Sequence, residues 1–157
     1  MNDSVFNPET FLGTTTEQAG DTTYTPPPAK EYERMQVVKV DGRQITSKKA
    51  ATFGQTYTMI EVTWELIDDE ARKVTGMEHP TARQSLFVDV LASGALDFSK
   101  NKNVQLGRLR DAVGQNRSGK KWAPSHLMGQ FARGIIKHET NEETGEVRGV
   151  VTRVAKA

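Results

Sequence analysis

Residues 114–121 read GQNRSGKK, with Gly114, Gly119 and Lys120 placed as in the phosphate-cradling pattern G-x-x-x-x-G-K-[ST]. Lys121 stands where that pattern needs a hydroxyl to hold Mg²⁺, and an ammonium there repels the metal. The order of elements is also reversed. A nucleotide loop leads from a strand into a helix N-terminus whose amides converge on one phosphate. Here the preceding stretch NVQLGRLRDAV spaces Leu106, Leu109 and Val113 for one face of a helix, and Gly114 is set to end that helix. ATP chemistry is therefore a poor fit. Arg117, Lys120 and Lys121 suit instead the phosphates of a polymer, the plain alternative being a solvated loop after a helix.

The surrounding charge favours the polymer. The chain of 157 residues carries a formal net charge of +1, but the charges are sorted along it. Residues 1–33 set Asp3, Glu9, Glu17, Asp21, Glu31 and Glu33 against Lys30, a net of −5. In the window 100–137 nine lysines and arginines, among them Arg117, Lys120, Lys121 and Arg133, face Asp111 alone, a net of +8. A cationic patch of that density suits a polyanion such as nucleic acid.

Catalysis has little support. His79, His126 and His138 are scattered, with no partner at metal-ligand spacing. Asp68, Asp69 and Glu70 cluster without a second acidic group to complete a two-metal site, which suggests a solvated turn. There are 0 cysteines, so neither disulfides nor zinc thiolates are expected. No enzyme activity, metal or cofactor is expected. No stretch approaches the roughly 18 apolar residues of a membrane span, and the expected setting is the cytoplasm, that of a host if the gene is phage-borne.

Positioning these residues requires a scaffold. Residues 1–30 are polar, lack periodicity and end in TPPPAK, which indicates an extended acidic and proline-rich arm with Val5, Phe6, Phe11, Leu12 and Tyr24 as its anchors. Residues 31–157 form the expected binding domain. EYERMQVVKV reads as a first strand and DGRQITSKKAATFGQ as a long polar loop. TYTMIEVTWELI alternates cleanly, with Ile60, Val62, Trp64 and Leu66 inward and Tyr57, Met59, Glu61, Thr63 and Glu65 outward. RQSLFVDVL continues with Leu86, Val88 and Val90 inward and Ser85, Phe87 and Asp89 outward. A helix near 103–113, a strand in LMGQFARGIIKHE, a turn at NEETGE and a strand in VRGVVTRVA complete the order β-β-β-α-β-β.

A mostly β chain of five strands with its helix between strands 3 and 4 has the order of an OB-fold, a partly open barrel that binds oligonucleotides on strands 2–3 and the adjoining loops. A five-stranded sandwich is the alternative. Sequence-tolerant binding of single strands combines cations for the backbone with aromatic faces for the bases. Tyr57 and Phe87 sit outward, where an apolar ring has no core role. Phe53 shares the first loop with Lys48 and Lys49, close after Arg43, and Trp122 directly follows Lys120 and Lys121. Trp64 belongs to the core. The candidate contacts are therefore Arg43, Lys48, Lys49, Phe53, Tyr57, Phe87, Arg117, Lys120, Lys121, Trp122 and Arg133.

FNPETFLG, the lead TPPPAKEYERMQV, and HLMGQFARGIIKHE followed by VRGVVTRV together resemble a family of small phage-encoded single-stranded DNA-binding proteins. The resemblance implies an OB-fold protein that coats single strands in phage replication, recombination or repair. Single-stranded DNA is then the expected partner, with homo-oligomerisation and recruitment of replication or recombination enzymes left open. In one respect the chain departs from many such proteins: it ends VTRVAKA, basic rather than acidic, so any acidic recruiting or self-inhibiting segment must be the arm. Two rivals stand beside this: a phage virion or assembly protein whose arm links subunits, and, with weaker support, an enzyme fragment.

Overall fold

The computed structural model describes residues 5–22 and 24–157, so Asp3 of the acidic arm lies outside the described residues. The elements in order are α1 (Pro8–Leu12), β1 (Glu31–Thr46), β2 (Thr56–Leu66), α2 (Asp69–Thr75), β3 (Thr81–Val88), α3 (Val104–Ala112), β4 (Phe131–Thr140) and β5 (Val147–Ala155), with 3-10 turns at Ala50–Thr52 and Pro124–Leu127. The five strands join in the order β1-β2-β3-β5-β4, and β4 returns to β1 to close the ring.

Closure depends on β1, which pairs with β4 through Glu31–Gln36 and with β2 through Met35–Thr46. Its first part pairs with one neighbour and the rest with the other, and the register slips between Tyr32 and Met35 on one edge and between Val37 and Lys39 on the other, irregularities that bend a strand. These slips break the two-residue alternation, so Tyr32, Met35 and Val37 all reach the interior. Gly134 permits the crossing on β4. A β-carbon there would overlap the Met35 methyl and sit 2.9 Å from the Arg153 carbonyl oxygen. The ring is loosest between β3 and β5, joined by the single parallel pair Arg83–Val150.

Inside, the alternation of β2 gives what it promised: Ile60, Val62, Trp64 and Leu66 are buried with Leu86 and Ile136. Trp64 is fully buried, and its Nε1 donates to Gln84 Oε1 at 2.9 Å. Leu106 and Leu109 of α3 join this core, and Gly114 follows that helix with φ 73°, the left-handed conformation expected of a helix-ending glycine.

Several expectations are corrected. The polar loop after β1 is shorter, because residues 41–46 continue the strand against Thr56–Glu61. On β1 these residues are exposed on both faces, so they carry no apolar alternation. The acids at 68–70 are not a bare turn. Asp68 caps α2 by accepting from the Ala71 amide at 2.9 Å, and Lys30 bridges Asp68 and Glu70 at 3.0 and 2.6 Å. This second helix between β2 and β3 was not legible as one. Strand β3 ends at Val88, so Val90 is exposed and meets Leu96 in an isolated bridge. Of the segment expected to begin the fourth strand, Leu127 is the buried end of a 3-10 turn, residues 128–130 lie outside any strand, and β4 starts at Phe131.

The proline-rich lead is docked on the ring. Pro27 is buried, its carbonyl lies 2.7 Å from His138 Nε2, and its ring lies 3.2 Å from where a β-carbon on Gly149 would be. Tyr32 donates to the Pro28 carbonyl at 2.7 Å. Burial pushes the Tyr32 phenol up to about 12 from its ordinary 10.0. Above the lower value the unfolded phenol ionises while the folded one keeps its proton, so stability is present below pH 10.0 and is lost towards about 12. Lys30, raised by its hydrogen bond to Glu70, acts in the same direction. Urea denaturation across this range should show wild-type stability falling, with about 2–3 kcal/mol of the fall owed to Tyr32. Tyr32→Phe should show a shallower fall, and an unchanged slope would contradict the assignment.

Candidate nucleic-acid interface

The outward residues of β1, β2 and β3 form rows across the sheet. Ile45 lies opposite Tyr57, Arg43 opposite Met59, and Met59 opposite Phe87. The Tyr57 and Phe87 rings meet edge to face at 6.0 Å between centroids and 73° between planes. Phe87 is 63% exposed and Tyr57 37%. They line a groove of about 880 Å³ with Ile45, Lys48, Lys49 and Asp89. Sequence parity therefore placed both rings on the outer face, and the ring closure leaves them in solvent.

The loop above the groove is a braced turn. Ser47 donates its amide to the Gln55 carbonyl at 2.8 Å, the Ser47 and Thr52 hydroxyls meet at 2.6 Å, and Gly54 takes φ 83°. Lys48, Lys49 and Phe53 project from it into solvent, Phe53 being 77% exposed. Arg43 is less free, because its Nη2 meets Glu61 Oε2 at 2.9 Å. Glu61 and Met59, outward by parity, are nonetheless buried beneath such long side chains.

The other candidates lie elsewhere. Arg117, Lys120 and Lys121 are exposed on the loop after α3, where Gly114 and Gly119, with φ 73° and 77°, shape the turn. Among the described residues none of these three cations has a carboxylate within 4.0 Å. Trp122 packs against the core, donates Nε1 to Gln115 Oε1 at 2.9 Å, and has the Arg110 guanidinium over its ring at 4.4 Å. The ring face under Arg110 is closed to a base. Arg133 is separate from the groove: it lies on β4 beside the first half of β1, 3.8 Å from Glu31, whereas Tyr57 pairs near the far end of β1.

Two parts of this surface abut through Asn103, which sequence reasoning passed over. Its side chain accepts from the Asp89 amide at 2.7 Å and donates to the Asp89 and Asp97 carbonyls, each at 2.8 Å. Asp89 lines the aromatic groove, and Asn103 lines a second cleft beneath the 114–121 loop. Arg110 was also missed, although it stood in view as a charge at i+4 from Leu106 on the apolar face of α3.

Among the described residues no group of three or more histidines and acids is arranged to hold a metal ion, and no helix is long and apolar enough to cross a membrane. Comparison with protein-family models and with curated proteins finds no match to the chain.

The Asn103 clasp is directly testable. Its backbone is left-handed, φ 53° and ψ 39°, which asparagine adopts more readily than alanine. Asn103→Ala should lower stability by about 1–3 kcal/mol by stranding the Asp89 amide. Asn103→Gly, which accepts the backbone but makes no clasp, should recover only part of that loss in urea denaturation. Full recovery would make the three hydrogen bonds irrelevant.

Proposed function

We propose that the chain is an OB-fold protein that binds single-stranded DNA with little sequence preference, through the outer face of β2 and β3 and the 47–55 loop. The observation that carries this is the exposed Tyr57–Phe87 pair in a groove rimmed by Lys48 and Lys49. The rings brace each other edge to face and keep surface open to solvent, where any base offers a face to stack on them and the lysines suit the flanking phosphates. The strand order, the helix between β3 and β4, and the weak β3–β5 seam agree with a partly open OB ring. The charge of the two OB binding loops favours one end. The 47–55 loop is basic, while the turn between β4 and β5 carries Glu142, Glu143 and Glu146, which repel phosphate. Coating of single strands in phage DNA replication, recombination or repair is the role that the sequence resemblance adds.

One observation favours the rival in which an arm links subunits. Val5, Phe6, Phe11 and Leu12 are 63–90% exposed, and the Phe6 and Phe11 rings meet each other at 5.5 Å. Of the two packings the sequence left open, on the domain or on a neighbouring chain, this exposure favours the neighbouring chain. An arm of this kind fits a virion or assembly protein.

Fluorescence anisotropy with a labelled oligonucleotide, duplex as competitor and salt as variable separates the two. Tyr57→Ala or Phe87→Ala should each cost about 1–3 kcal/mol of binding with little change in salt slope. Lys48→Ala or Lys49→Ala should lower the slope by about 0.7 per contact. Equal affinity for duplex and single strand would defeat the proposed groove. Loss of an oligomer on deleting residues 1–22, without any binding of single strands by the intact chain, would favour the assembly protein.

A further inference from the structure

Arg110 is 7% exposed yet has no carboxylate partner among the described residues. Its guanidinium is held between Phe98 and Trp122, 4.9 and 4.4 Å from the ring centroids. Nη2 donates to the Gln115 carbonyl at 3.1 Å, and the buried Nε has no hydrogen-bond partner. An arginine fork presents five donors and keeps its charge in proteins, so burying it without an anion is costly, and leucine or methionine would fill the same space without that cost. Asp111, the adjacent acid, lines the same cleft but does not pair with it.

The cleft that Arg110 lines, about 750 Å³ between α3 and the 114–121 loop, is also lined by Lys102, Arg108, Arg117 and Lys120. Five cations thus face one carboxylate. Gly114 and Gly119 adopt left-handed backbone that a side-chain-bearing residue there would strain, which suits glycines that turn the loop back over the helix. Two aromatic rings fix the plane of the buried guanidinium, and a planar fork of known orientation is well matched to phosphate oxygens.

We propose that this cleft is a phosphate site, with Arg110 as its fixed inner wall and Arg117 and Lys120 closing over the anion, and that it holds a backbone phosphate of the same strand whose bases stack on Tyr57 and Phe87. The clause about the strand rests on the function proposed above. It draws on the Asn103 clasp, which joins the end of the aromatic groove at Asp89 to the cleft. Trp122 acts here by orienting Arg110 and does not stack a base.

Two measurements on the full chain test this. In a Trp64→Phe background the remaining tryptophan, Trp122, reports on the cleft. Pyrophosphate at low salt should change its fluorescence saturably, and Arg110→Met or Arg117→Ala with Lys120→Ala should weaken that response about tenfold or more. Arg110→Met keeps an unbranched stem between the rings, and the surface double variant covers the case in which it misfolds. Absence of a saturable response in the folded parent protein would overturn the site, whatever the protein binds elsewhere.

The second measurement compares oligothymidylates of about 5 and about 15 nucleotides, within the span of OB site sizes. The longer strand should bind the parent protein more tightly, and both variants should lose most of that gain while holding the short strand almost unchanged. Equal weakening of both lengths, or none, would remove the cleft from the path of the strand. If neither length binds the parent protein, the function proposed above fails together with the strand clause, and a positive pyrophosphate titration would then leave a site for a free phosphate compound.

Discussion

Closing five strands into one ring leaves no room inside for anything but side chains. Eight strands already give an interior only just wide enough for side chains to fill, and five give less. Trp64, Val62, Leu66 and Met35 occupy that space here, with α3 adding Leu106 and Leu109. Every ligand-facing group must therefore sit on the outer face, in the loops, or beside the helix. The closure itself rests on β1 reaching both neighbours, on its two register slips, and on the missing β-carbon of Gly134. The same constraint that buries Trp64 thus leaves Tyr57 and Phe87 in solvent.

The surface so defined is directional. The projecting end of β1 and β2 carries the basic loop and the ring pair, and Asn103 ties the end of that groove to the start of α3. On the opposite side of β1, Arg133 and Arg34 are engaged with Glu31 and the Phe131 ring, contacts internal to the β1–β4 edge. Counting cations along the chain treats Arg133 and Lys120 alike. The fold does not, because one lies on the far edge and the other beside a buried arginine with no carboxylate partner among the described residues.

Much of the scaffold was legible because one face of a strand or helix must be apolar. The period of two in residues 56–67 gave β2 and its inward set, and the spacing of Leu106, Leu109 and Val113 gave α3 with its terminal glycine. Where no face touches the core the signal vanishes, as in residues 41–46, which pair as strand with both sides in water. Helix α2 is short and buries only Ala71, so its capping aspartate looked like part of an acidic turn. Of the site, outward parity exposed Tyr57 and Phe87. Trp122 could not be assigned from neighbouring lysines, since its orientation is set by Gln115 and Arg110, seven and twelve positions earlier in the chain.

In the proposed function single strands run over the outer face of β2 and β3. Amide chemical-shift mapping of the isotopically labelled chain during titration with an oligothymidylate addresses it most directly. Shifts should concentrate in residues 45–57, around residues 87–89 and at Asn103, with the β1–β4 edge at Glu31 and Arg133 quiet. Shifts confined to that edge or to the arm at residues 5–12, with the Tyr57–Phe87 groove unmoved, would contradict it.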